Sequence, residues 1–291
     1  MSGMHRPFKR SGQNWRTLPA TSGIARLSVP LDSATSRILA VLNRDKSLDS
    51  LDALAHSLQE ARPQRTMSKT AVAFDTNVLL RLGNHPRSAD IVDYLGSASF
   101  DGVVILPGQV IQEFWNNQLN AVDSLASSIR KKFEALSADI AKIDENFHSF
   151  QERFNTLLEE FRGNFGYVYD EATARRLRTV VEFLQQKAIV PYISRLPFAE
   201  MATARKRTKT PPGFKDEGDG DFYVWADLLL GLLQAQLSGT RIERVALLTQ
   251  DRKPDWSREG VPHPILAAEV KALTGAAFEV WSLDQLAEQL A

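Results

Sequence analysis

Three short apolar runs, at 71–74, 103–106 and 245–248, and a last strand-like segment at 278–281 that carries Glu279, punctuate the chain, each closed by polar or turn-forming residues. All four are too short for helices, and the first three are apolar without alternation, the pattern of strands buried on both faces. Stretches with helical spacing separate them. The pattern therefore predicts an α/β protein with a central parallel sheet covered by helices on both faces, a three-layer α/β/α arrangement. The first run ends in Asp75, and the third ends in Thr249, Gln250 and Asp251. Ligands of such sheets bind beyond the carboxyl ends of the strands, where these two aspartates lie.

Between Glu113 and about Gly163 the period changes. Val122, Leu125, Ile129, Phe133, Leu136, Ile140, Ile143, Phe147, Phe150, Phe154, Leu157 and Phe161 recur at alternating threes and fours, a heptad-like seam. A continuous helix of that length would span on the order of 60 Å. The seam predicts a helical insertion at about 116–190, either folded as a hairpin against a second helix at 171–187 or paired as a coiled coil with a partner or a second copy. Upstream, 34–61 reads as two short helices, with Leu48, Leu51, Leu54 and Leu58 at helical spacing, and Pro63 with its polar neighbours marks a linker. The expected division is an arm at 1–32, a helical segment and linker at 33–66, and the sheet domain at 67–291.

Charge and composition narrow the classes. The first thirty residues carry Arg6, Lys9, Arg10, Arg16 and Arg26 and no acid, which reads as a solvated basic arm; a nucleic-acid or partner contact and an organelle transit peptide are the other readings. The whole chain has 35 basic and 35 acidic side chains, so any grip on nucleic acid must be local. The absence of cysteine excludes disulfides, thiolate zinc sites and cysteine nucleophiles, and fits the cytoplasm. No apolar run approaches the roughly 20 residues of a membrane span, and no secretory leader follows Met1.

Four acids occupy matching topological places. Asp75 and Asp251 end strands, Glu113 lies on the helix after the second strand, and Asp221 begins the apolar helix DFYVWADLLLGLL. Each alone has a plainer use, since a strand-end aspartate often caps a turn and an acid at a helix start is favoured by the helix dipole. Together, at one sheet edge, they would repel one another unless hard divalent cations neutralised them. Mg²⁺ or Mn²⁺ suits such oxygen donors, and the phosphodiester hydrolysis that it promotes requires neither histidine nor cysteine. The preceding loop sets Arg205 and Lys215, candidates for phosphate oxygens, beside Asp216 and Asp219, further candidate metal ligands.

The order DTN (75–77), EF (113–114), PPGFKD (211–216), GDFYVW (220–225) and TQDRKPDW (249–256) resembles the PIN-like domains of bacterial proteins, in the branch with a long helical insertion and a PPG-[FY]-K-D loop. The resemblance covers roughly 70–285. It implies a central parallel sheet and a metal-dependent nuclease, an endoribonuclease acting with Mg²⁺ or Mn²⁺ as toxin or defence effector, restrained or activated by a protein partner. By position it makes Asp75, Glu113, Asp221 and Asp251 catalytic metal ligands, with Asp216 and Asp219 as further ligands. Asn77, Arg205 and Lys215 would bind substrate, and Asp255 would fix its loop. RNA is expected ahead of DNA, and the helical arm could join two copies. The alternative is a non-catalytic interaction module that uses the helical arm. Toprim, nucleotide-sugar transferase and haloacid-dehalogenase readings leave these acids without work or lack the expected second aspartate.

Overall fold

In the computed structural model the strand Thr70–Phe74 (β1) is central to a five-stranded parallel sheet. The structure describes residues 31–45, 48–58, 67–83, 85–116, 171–250 and 253–290, with scattered positions between 132 and 157. Beside β1 lie Val103–Ile105 (β2) and then Ala188–Ile189 (β3); on its other side lie Arg244–Leu248 (β4) and then Ala277–Trp281 (β7). A separate antiparallel ribbon joins Ser257–Arg258 (β5) to Val261–Pro262 (β6). The four segments marked in the sequence are thus β1, β2, β4 and β7. β3 escapes the pattern because two residues cannot carry a period; only its pairing with β2 makes it a strand.

Every residue of β1 is buried, and alternate side chains feed opposite cores. Ala71 and Ala73 face the helices Leu31–Leu42 (α1), Arg195–Arg207 (α7), Gly220–Leu237 (α8) and Pro264–Thr274 (α9). Val72 and Phe74 face Thr76–Leu82 (α3), Ser88–Gly96 (α4), the helical residues 108–116 (α5), Glu171–Lys187 (α6) and Leu283–Glu288 (α10). The result is a three-layer α/β/α sandwich.

α8 is apolar almost all round because it is enclosed, with Trp225, Leu228, Leu229 and Leu232 at no more than 0% exposure. Each such side chain contributes about 1.5–3 kcal/mol by leaving water. α1 joins the same core through Ala34, Ile38 and Leu42. The helix Ser50–Ser57 (α2) instead leaves Leu51 and Leu58 exposed and is tied to α9 by Lys271, which contacts Asp52 at 2.6 Å. Most of the heptad seam lies outside the described residues; Leu136, Ile140, Phe154 and Leu157 are described and helical, with Ile140 and Phe154 buried. No described helix is long and apolar enough to cross a membrane.

The strand order places the site. β1, β2 and β3 step outward in one direction, and the chain then returns to add β4 on the other side of β1. The carboxyl ends of β1 and β4 therefore flank the point where the order reverses, the crevice in which open α/β sheets bind ligands.

Candidate functional site

Asp75 leaves β1 in extended conformation and caps α3, its Oδ1 accepting from the Thr76 amide at 2.7 Å. Its Oδ2 accepts from Asn77 Nδ2 and from Thr249 Oγ1, both at 2.7 Å. Thr249 follows β4, so these bonds close the β1–β4 crevice. Asn77 completes the closure by accepting the Gln250 amide at 2.8 Å. Asn77 thus holds the strand tips together, using both ends of its amide.

Thr76 turns its hydroxyl to the neighbouring carboxylate, donating to Glu113 Oε2 at 2.8 Å. Glu113 Oε1 accepts from Gln109 Nε2, one turn earlier on α5, at 3.1 Å. The same oxygen lies against the first residue of α8: a Cβ on Gly220 would come within 2.3 Å of it. The N-terminus of an 18-residue helix, with its unpaired amides and positive dipole end, is a favourable place for that carboxylate. A contact line therefore runs from Asp75 through Thr76 and Glu113 to Gly220 and the adjoining Asp221.

Asp221 is largely buried. Lys253 Nζ lies 3.3 Å and Trp256 Nε1 3.1 Å from its Oδ2. The same ammonium reaches Asp216 at 2.7 Å, so Lys253 joins the two carboxylates. Burial, then the hydrogen-bonded neighbour Asp216, push the Asp221 carboxyl up to about 7 against the pull of Lys253. Asp216 is itself raised by burial, but its bonds to Lys253 and Asp221 more than offset this and hold it below the ordinary value. Asp219 pairs with Lys206 at 2.9 Å, and Lys215 is exposed. Asp251 lies outside the described residues.

The PPGFKD loop is fixed from beneath. Gly213 has φ +76° and meets the Asp221 side chain so closely that a Cβ would lie 2.8 Å from Asp221 Cβ. Its amide donates to the fully buried Asp255 at 2.9 Å. Arg205, expected at phosphate, is only 3% exposed; it donates to the Pro211 carbonyl and pairs with Glu269 at 2.7 Å. Burial raises the Glu269 carboxyl, and Arg205 and the Trp225 indole oppose that rise. In this position Arg205 anchors the loop from within the core.

Four contributors went unrecognised in the sequence: Lys253, Asp227, Arg195 and Gln109. Lys253 follows the strand-tip acid by two positions, a signal that could have marked it. Asp227 lies inside the apolar helix α8, fully buried, and Arg195 and Gln109 bind it from distant segments. Burial raises the Asp227 carboxyl against the amides of Ile193 and Gln109 and the charge of Arg195.

The donor set suits a hard divalent cation: carboxylate oxygens, the hydroxyls of Thr76 and Thr249, and no sulfur. A cation there would oppose the burial and the Asp216 contact that raise the Asp221 carboxyl. Among the described residues, however, no three Asp, Glu or His side chains stand together as a ready-made ligand group. The acids come in two pairs, Asp75 with Glu113 across Thr76, and Asp216 with Asp221 across Lys253.

Residues 71–166 match the protein-family model described as PIN like domain. That segment contains β1, β2, Asp75 and Glu113; the PPGFKD, GDFYVW and TQDRKPDW segments lie beyond it. Domains of this kind are generally nucleases and usually use divalent metals. Neither the curated proteins nor the solved structures gave a match to this chain.

Proposed function

Taking the PIN-like match as premise, we propose that this chain is a metal-dependent nuclease, an endoribonuclease, with its active site at the carboxyl ends of β1 and β4. The observation that carries the reading is the contact line Asp75–Thr76–Glu113–Gly220–Asp221 at the sheet's reversal point. It joins acids far apart in sequence at the one place where this topology binds ligands.

Asp75, Glu113 and Asp221 would hold Mg²⁺ or Mn²⁺, with Asp216, Asp219 and Asp251 as further donors. Bound there, the ion would acidify an attacking water and neutralise charge on the scissile phosphate. The chain's own groups prepare for this. Asn77 and Thr249 fix one oxygen of Asp75, and Thr76 aims Glu113. Glu113 either ligates the ion or orients the water. Lys253, between Asp216 and Asp221, balances their charge and would meet a phosphate oxygen brought to them. Exposed Lys215 would meet the nucleic-acid backbone. With Arg205 committed to Glu269, these two lysines are the better candidates for phosphate.

The biological role proposed is that of a cytoplasmic toxin or defence effector governed by a partner, with RNA ahead of DNA. Internal pairing of the acids favours a second reading, a non-catalytic interaction module. Cleavage of labelled single-stranded RNA and DNA with Mn²⁺, Mg²⁺ or EDTA separates the two. Metal-dependent cleavage by the wild type, lost in a folded Asp75→Asn protein, is the expected result. Absence of both cleavage and Mn²⁺ binding in the wild type would favour the module.

A further inference from the structure

We infer that Gln109 and Arg195, anchored on Asp227, are positioning residues that orient Glu113 for the reaction; the inference rests on the nuclease reading of this site. Glu113 Oε2 is fixed by Thr76, and Oε1 is fixed by Gln109. Gln109 can serve only if its amide points the right way. Arg195 Nη2 donates to Gln109 Oε1 at 3.1 Å, and an arginine has no acceptor to offer. The Gln109 NH₂ group is thereby left to face Glu113. Arg195 acts as the selector of the amide's orientation.

Asp227 holds this selector. Both guanidinium terminal nitrogens lie 3.2 Å from its two carboxylate oxygens, a two-pronged contact. The same carboxylate accepts the amides of Gln109 at 2.8 Å and Ile193 at 2.7 Å. One buried side chain on α8 thus fixes the start of α5, the segment after β3 and Arg195 together. The Tyr223 ring, 4.4 Å from the guanidinium carbon, covers the arginine's face. Asp227 and Gly220 lie on the same helix, so α8 sets Glu113 from both sides: through Arg195 and Gln109, and by direct contact at Gly220.

Carboxylates that meet metal or reacting atoms depend on such partners, whose loss typically costs about 10–100-fold in metal affinity or activity. Gln109→Leu removes the donor and keeps approximate size. Arg195→Lys keeps the charge but loses the planar fork that spans both Asp227 oxygens while reaching Gln109. Gln109→Glu places a carboxylate against Glu113 while still satisfying Arg195, and should be the most damaging of the three.

The test measures RNA cleavage as a function of Mn²⁺ in wild type, Gln109→Leu, Gln109→Glu, Arg195→Lys and the double variant Gln109→Leu/Arg195→Lys. Mn²⁺ binding is followed independently by calorimetry, and thermal unfolding is recorded for each. Both single variants should lower kcat about 10-fold or more and raise the Mn²⁺ requirement, with KM for RNA little changed and Gln109→Leu melting near wild type. Because the two act in series, Arg195→Lys should add little once Gln109 is leucine. An active wild type whose Gln109→Leu form has unchanged kcat and Mn²⁺ binding would overturn the inference, as would fully multiplicative losses. If Arg195→Lys loses stability, Gln109→Leu and Gln109→Glu carry the test. A wild type that neither cleaves nor binds Mn²⁺ would sink the nuclease reading itself, and the inference with it.

Discussion

Thr249 Oγ1 donates to Asp75 Oδ2 at 2.7 Å, tying the tip of β4 to the tip of β1 across the crevice where the strand order reverses. The bond serves fold and site at once. Thr249 is buried, so its hydroxyl has little access to water. Thr249→Val, close in shape, should lower stability by about 1.5–3 kcal/mol, the range for a hydrogen bond to a charged group. It should also reduce cleavage, because Asp75 loses one of the contacts that orient it. Chemical denaturation and kcat of the same preparation check both; a valine variant with wild-type stability would mean that the bond contributes nothing net.

Gly220 marks how closely α8 approaches Glu113. A methyl group there would sit 2.3 Å from Oε1, so the carboxylate must move. Alanine is otherwise at least as good a helix residue. Gly220→Ala is therefore expected to melt near wild type while losing at least about tenfold in kcat, a separation of stability from activity. Unchanged kcat would show that Glu113 tolerates displacement.

Asp221 predicts a pH effect of definite sign. Its carboxyl is pushed up to about 7 by burial first and Asp216 second, while Lys253 and the Trp256 indole pull it down. In the unfolded chain the group titrates near 3.8. The folded state therefore holds the extra proton, and this group's contribution to stability falls as pH rises from about 4 through about 7. Asp216, held below its ordinary value, acts in the opposite sense: its contribution is present above its unfolded value and is lost in more acid solution. Metal-free Asp221→Asn should out-melt wild type at about pH 8, by a margin that shrinks toward about pH 5. Identical melting of the two proteins at both pH values would contradict this.

Arg205 and Glu269 form an ion pair with almost no solvent contact, at 3% and 0% exposure. Removing one partner strands the other charge. Arg205→Ala or Glu269→Ala should cost about 3–5 kcal/mol, whereas replacing both with apolar residues of similar volume should restore much of it. Arg205→Lys should lose the Pro211 contact and loosen the loop that carries Gly213 and Asp216. A thermal shift series over these four variants suffices. A double variant as unstable as the singles would contradict this account of the pair.

The fold was readable where burial leaves a continuous trace. The segments at 71–74, 103–106, 245–248 and 278–281 became β1, β2, β4 and β7 within a residue or so; the first three read as unbroken apolar runs because inner strands covered on both faces admit few polar positions, while the edge strand β7 carries Glu279. The two-residue strand β3 and the ribbon β5–β6 carried no comparable signal, since pairing rather than pattern defines them. Asp75 and Glu113 stood out by place, and the structure brings them to either side of Thr76.

What the sequence determined by itself was the α/β class, the strand tips and the acids that end or follow them, all consequences of local periodicity and order along the chain. Which cation meets which carboxylate was decided only by tertiary structure. Arg205 and Lys215 looked alike as basic residues in one loop, yet one is enclosed against Glu269 and the other faces solvent. Asp227 looked like an interruption in an apolar helix, yet it holds Arg195 and Gln109 from segments 32 and 118 residues away. Charge in a sequence has sign but no address; partners are fixed when packing removes water and leaves each buried group only the neighbours that the fold supplies.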